Sequence, residues 1–497
     1  MSNYDELISR VKELSVIESI GGLLAWDQET FMPPKGAQLR SESLAYLSKT
    51  AHSALINPEM GSLLDSLENA NLTDIESANV REIQRSYDKA TKLPISLVEE
   101  MARHKSHALQ IWQKARAEND FTHFAPALEK NLDLACQAAE HYGYKENIYD
   151  AMLDIYEQGM TVSQLDLLFA GLRKEIVPLV KAIGESTSKP DLTFLTSNSF
   201  SEEGQRDFSL RVSQAIGFDF EGGRMDTSTH PFCSGAGPDD VRFTTRYDES
   251  FPFGCLYGVM HETGHGLYEQ GLSREHEGTP LGKAVSLGVH ESQSRLWENV
   301  VGRSKEFWNH WLSDFCEVFP DVGDLDLDTI HRAVNNVEPS LIRVEADEAT
   351  YNLHIMIRYE VEKALVNGDV KVNDLPQFWN SQMENYLGIT PPDDAQGVLQ
   401  DIHWSMGAFG YFPTYTLGNL YASQLWEATL RDIPDMPSLI SRGETQPLLD
   451  WMRTNVHIHG SRWEPDDLIL HATGEKPSSD AFIRYLKQKF QYLYNLS

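Results

Sequence analysis

Cysteine is scarce in this 497-residue chain: Cys136, Cys233, Cys255 and Cys316 stand far apart, with no C-x-x-C pair. That excludes a disulfide framework and fits reduced thiols in the cytosol. Positive charge is short as well, with 42 Lys and Arg against 74 Asp and Glu and a net charge of −32. A surface so negative repels phosphate backbones and anionic lipid, so neither nucleic acid nor a membrane surface is an expected partner. No run approaches the ~18 to 20 unbroken apolar residues of a membrane span. The acidic, polar stretch from Met1 to Leu7 carries no signal-peptide pattern, and there is no low-complexity tract or internal repeat. What is there, 41% apolar and 10% aromatic residues, suffices for one large or two ordinary cores of a cytoplasmic protein.

Most of the apolar spacing is helical. Tyr4, Leu7, Ile8, Val11, Leu14 and Ile17 recur at three and four residues. Thr161 and Gln164 form a capping-box pattern before a stripe from Leu165 to Ile183, within which Pro178 should kink the helix. Helical spacing also covers residues 95–118, 126–141, 347–365 and 480–494. From about 186 to 250 the chain turns rich in Gly, Ser, Thr, Asp and Pro. There Phe243, Thr245 and Tyr247 alternate with Arg242, Thr244 and Arg246, the period of a strand. The expected fold is all-α, mostly helical, with a small β region at about 218–250 and residues 1–497 forming a single domain of two helical lobes.

The chemistry lies in His261, Glu262, Thr263, Gly264 and His265, an H-E-x-x-H pattern. Residues i and i+4 share a helix face, so both imidazoles can reach one cation. Glu262 is turned to the side where a metal-bound water would sit, and can take that water's proton and return it to a leaving amine. The bland alternative is a buried, hydrogen-bonded histidine pair on a core helix. A catalytic zinc needs a third protein ligand. The long metzincin pattern, which needs Gly at 268 and His at 271, is excluded by Tyr268 and Gly271. Glu269, Glu275, His276, Glu277, His290 and Glu291 remain open as third ligands. Glu269 reads as a surface carboxylate, and Glu291 lies on an expected second helix over 285–297. His457 and His459 read as solvated residues.

Beyond these residues, five motifs occur in order between 240 and 415. They are Asp240, Arg242 and Thr244 (D-x-R-x-T), His261 to His265, His290 to Gln293 (H-E-S-Q), Ile342, Arg343, Ala346 and Asp347 (I-R-x-x-A-D), and Gly397, Gln400, Asp401, His403 and Trp404 (G-x-x-Q-D-x-H-W). With them, and with Trp26-Asp27-Gln28, the chain resembles the thermostable-carboxypeptidase (Taq-like) family. These are H-E-x-x-H metallocarboxypeptidases with the all-helical fold of angiotensin-converting enzyme and neurolysin, two helical lobes around a deep groove.

Carried over position by position, the resemblance implies His261, His265 and Glu291 as metal ligands and Glu262 as general base. It implies Arg343 as receptor of the substrate's terminal carboxylate, with Arg242 a second candidate. His230, Gln400, His403 and Tyr411 are implied as pocket residues, with His230 or Tyr411 as oxyanion donor. Zinc is the expected metal, with cobalt possible. The implied activity is release of single C-terminal residues from peptides with a free C-terminus, broad in specificity and poor at proline, by a homodimer. The alternatives are an oligopeptidase or dipeptidyl carboxypeptidase with the same zinc site, and a helical peptide-binding protein with a vestigial metal site.

Overall fold

The apolar stripe of the first residues becomes a helix because both its start and one face are satisfied. Ser2 accepts from the Asp5 backbone and the Asp5 carboxylate accepts from the Ser2 backbone, a complete capping box for the 28-residue helix Asn3–Thr30. Leu7 and Val11 then pack with Met60, Leu64, Leu67 and Ile83. The computed structural model describes residues 2–496. The chain divides into two compact units, each assembled from three separate stretches: Met1–Thr91, Asp191–Val334 and Ala422–Lys476 in the first, and Lys92–Pro190, Asn335–Tyr421 and Pro477–Ser497 in the second.

The first unit holds the only sheet among the described residues. Strands β1 (Gly223–Thr227), β2 (Cys233–Gly237) and β3 (Asp240–Thr245) lie in the order β1-β3-β2. β1 is parallel to β3 and β2 antiparallel to it. The expected β region is thus present, although the strand ends at Thr245 and not at Tyr247. Its central position buries Val241, Phe243 and Thr244. Phe243 meets Phe218 edge to face at 5.0 Å.

Two helices follow. The first, Pro252–Gly271, begins with proline, which has no N–H to leave unpaired there. It is buried on nearly all sides, as expected of a core helix, and Phe253 stacks on Phe315 and meets Trp308 edge to face. The second, Leu287–Arg295, is capped by Ser286 and runs into a π-helical turn, Leu296–Val301.

The second unit is helical. Helix Ile95–Glu118 has the bounds that the spacing predicts. The next starts at Phe121, not 126, because the Asp120 carboxylate caps it by accepting from the His123 backbone. Helix Val162–Glu185 carries the expected Thr161–Gln164 capping box and continues through Pro178. Helix Tyr351–Asn367 is entered through Asp347, which accepts from the Ala349 and Thr350 backbones and the Thr350 hydroxyl. Residues 399–405 are pinned by Trp112, which donates to the Leu399 carbonyl, and by Asn131, which donates to the Trp404 and Ser405 carbonyls. Among the described residues no helix is long and apolar enough to cross a membrane.

Candidate active site

His261 and His265 stand one turn apart on Pro252–Gly271, and both Nε2 atoms point at one carboxylate oxygen of Glu291, at 3.5 and 3.4 Å. The crossing of the two helices makes this possible. A Cβ on Gly264 would lie 2.6 Å from the Gln293 carbonyl oxygen and 2.6 Å from the Ser294 Cα, so only glycine allows the backbones so close. Among the described residues, His261, His265 and Glu291 are the one group of three potential ligands whose donor atoms lie within 4.8 Å of one another. Glu275, His276 and Glu277 are not in it.

The donor set fits a divalent ion. Two ligands about 2.0–2.1 Å from a tetrahedral centre lie about 3.4 Å apart, and two imidazoles with one carboxylate leave the fourth position open.

Each ligand is held from behind. His261 Nδ1 pairs with Glu298 at 2.9 Å, and Glu298 is met by Arg295 at 3.2 Å and Arg303 at 3.5 Å. Arg295 Nε donates to the other oxygen of Glu291 at 2.6 Å, and the Ser294 hydroxyl donates to the oxygen that the histidines face at 3.0 Å. Burial penalises both carboxylates, yet Arg295 together with the ligand histidines, and with Arg303 at Glu298, outweighs it and holds Glu291 well below the usual range and Glu298 at about 2. Burial also opposes a charge on His261, but Glu291 and Glu298 lift it to about 9; His265, where burial wins, falls to about 3.

Glu262 is 7% exposed and accepts no hydrogen bond from any described residue. Desolvation pushes it up to about 7. A buried carboxylate without donors beside two histidines is a poor structural element and a good proton acceptor.

The other candidates fall in both units. In the first, Arg242 on β3 lies over the Trp26 ring at 4.8 Å and forks onto Asp240 at 2.6 and 2.8 Å. His230 is exposed between β1 and β2.

In the second unit Arg343 is 6% exposed, with Nε and Nη2 on Asp401 and Nη1 on the Tyr351 hydroxyl. Arg358, fully buried, shares Asp401 at 2.6 Å. Both oxygens of Asp401 therefore face guanidinium groups, which hold its pKa far below the ordinary value against the cost of burial. Gln400 accepts from Arg358 and from the Arg343 backbone, and donates to the carbonyls of Leu341, Gln396 and Gly397, so its amide is wholly engaged inside the protein. His403 packs on Tyr411 and Phe412 and is kept neutral by burial, its pKa lowered to about 4.

Sequence reasoning missed Arg295, Glu298 and Arg358. The first two carry a signal, since four and seven residues after Glu291 is the same helix face. Arg358 carries none. His457 is corrected outright: it is fully buried against Gly271, with Nε2 on Gln293 at 2.9 Å, and is not solvated. Glu269 stays partly exposed and outside the ligand group, and turns onto His290 Nε2 at 2.7 Å.

Residues 6–490 match the family described as Carboxypeptidase Taq (M32) metallopeptidase. The chain is 44% identical to Thermostable carboxypeptidase 1 of Thermus thermophilus over 507 residues, covering 99% of both. It is 42% identical to Carboxypeptidase 1 of Bacillus subtilis, covering 99% of this chain and 98% of that one. Its fold superposes on the crystal structure of an M32 carboxypeptidase from Deinococcus radiodurans with a TM-score of 0.97, at 38% identity and over 100% of each chain.

Proposed function

This chain belongs to the carboxypeptidase Taq (M32) metallopeptidase family, and from that premise we propose that it releases single C-terminal amino acids from peptides at a zinc site formed by His261, His265 and Glu291. The observation that carries this reading is the convergence of His261 Nε2, His265 Nε2 and a Glu291 oxygen beside Glu262, whose carboxylate accepts from none of the described residues. A zinc or cobalt ion, when bound, supplies Lewis acidity to a peptide carbonyl and acidifies water at its open position.

The protein's own groups do the rest. Glu262 takes the proton of the attacking water and hands it to the departing amine. Its pKa of about 7 without an ion falls when positive charge is placed beside it, which keeps it in the basic form. Glu298 and Arg295 hold His261 and Glu291 in their ligating orientations. Arg343, with Arg242, takes the terminal carboxylate. In support, Arg343 and Arg358 bring two guanidinium groups to the single carboxylate of Asp401, an excess of one positive charge. Such local charge is needed because the net −32 of the chain repels the anionic end of a peptide. His230 or Tyr411 donates to the oxyanion, and Gln400 and His403 line the pocket. We further propose broad specificity with poor action at proline, residues 1–497 working as one catalytic domain, a cytoplasmic setting and a homodimer.

Mass spectrometry of a peptide digest, with metal content measured on the same sample, tests this. Successive one-residue losses from the C-terminus are expected, and a C-terminally amidated peptide should resist. Two-residue steps would favour the dipeptidyl reading, and no cleavage by metal-loaded protein would overturn both.

A further inference from the structure

The two ligand histidines are supported differently. His261 Nδ1 has the carboxylate of Glu298 as its partner, but His265 Nδ1 faces another imidazole, Nδ1 of His290, at 2.5 Å. His290 in turn presents Nε2 to Glu269 at 2.7 Å. Its ring is fixed between these contacts by the buried ring of Tyr268, 5.2 Å away, which packs on His457. Neutral imidazole carries one proton, and two facing Nδ1 atoms need one donor and one acceptor. Were the proton on His290 Nδ1, the proton of His265 would move to Nε2, the atom that faces Glu291 and must be bare to hold an ion. Glu269 decides between the two arrangements: an ionised carboxylate only accepts, so it draws the His290 proton to Nε2 and leaves Nδ1 as an acceptor.

We propose that Glu269 and His290 form a hydrogen-bond relay that sets the tautomer of His265, making both of them positioning residues for the metal. The relay rests on the metal-site reading above. Its direction is Nδ1–H of His265 to Nδ1 of His290, then Nε2–H of His290 to Glu269. Glu269, 30% exposed along its side chain, is the polar end that keeps the order from reversing. The relay joins the Pro252–Gly271 helix to the Leu287–Arg295 helix at one point, so the residue before the third ligand orients the second.

Zinc affinity, read by competition with a chelating dye, tests the relay without reference to turnover. His290→Leu should weaken zinc binding by about 10- to 100-fold, the usual scale for an outer partner of a ligand histidine. His290→Asn, which places an amide oxygen near the former Nδ1, should restore binding to within about threefold of the parent. Glu269→Ala, at a partly exposed position that tolerates truncation, should fall between them. The relay is overturned if His290→Leu and Glu269→Ala both bind zinc as the parent does, or if His290→Asn is as weak as His290→Leu. Should the leucine variant fold poorly, nitrogen-15 histidine spectra of the unaltered chain decide: His265 protonated on Nδ1 and His290 on Nε2 supports the relay, and the reverse refutes it. His261→Ala separates the two levels. If it too keeps parental affinity, the metal site itself is wrong; if it alone loses zinc, only the relay fails.

Discussion

Each unit contains a buried cluster of charge, and the two are built differently. In the first, Glu291 and Glu298 share the guanidinium of Arg295, Arg303 also meets Glu298, and Glu262 accepts from none of the described residues. In the second, Arg343 and Arg358 share a single carboxylate, Asp401, and almost every donor is bonded. The first gathers carboxylates around two histidines, and the second gathers guanidinium groups around one carboxylate. Burying a charge costs several kcal/mol per ion unless it is paired, so both clusters depend on the partners that hold them.

The sharpest way to break the comparison is at its least satisfied member. Glu262→Gln should lower kcat by about 10² to 10⁴ while metal content, measured by atomic absorption, stays at the parental level. Retained turnover would make the missing hydrogen bonds meaningless. The opposite case is Asp401→Asn, which leaves two buried guanidinium groups without their counter-charge and should cost about 3–5 kcal/mol of stability. A urea titration measures it, and an unchanged midpoint would mean that the cluster is not as dry as it looks.

A third test uses Glu362, one turn beyond Arg358 on the same helix. It accepts from Trp404, Tyr149 and the Gly410 backbone but, unlike Asp401, has no paired cation, and burial lifts it to about 7. Because the folded chain holds this proton more tightly than the unfolded one, stability is greatest below the ordinary carboxylate pKa of 4.5 and declines as pH rises toward 7. The loss amounts to about 3 kcal/mol. Melting curves should show Glu362→Gln gaining on the parent between about pH 5 and about pH 8; a constant difference would contradict the assignment. The smallest effect is expected from Arg343→Lys, which keeps the charge but loses the fork. Peptides with a free C-terminus should lose about 1.5–3 kcal/mol in kcat/KM, whereas amidated peptides lose nothing further.

How much of this was legible in the sequence depended on whether the information was local. The capping box at Thr161, the bounds of Ile95–Glu118 and the shared face of His261 and His265 all follow from spacing within one helix. Glu291 is different. Spacing left it among several carboxylates and histidines, and only the family motifs singled it out, because its placement depends on a crossing between helices. The same holds for Glu269 and His457. Both read as surface residues from their neighbours in sequence, and both are engaged by residues from a distant turn. Pro178 lies inside its helix as the spacing places it, and the helix continues past it to Glu185.

Gly264 sits inside the H-E-x-x-H pattern without being specified by it, and its missing side chain sets a dimension. The gap between the two histidines and Glu291 is fixed where one main chain rests on another at Gln293 and Ser294. A gauge of that kind does not respond to side-chain repacking elsewhere, so drift in the surrounding core leaves the span of the cage unaltered. An added methyl at 264 would act on all three ligands together, widening the cage as a spacer does, with no ligand replaced.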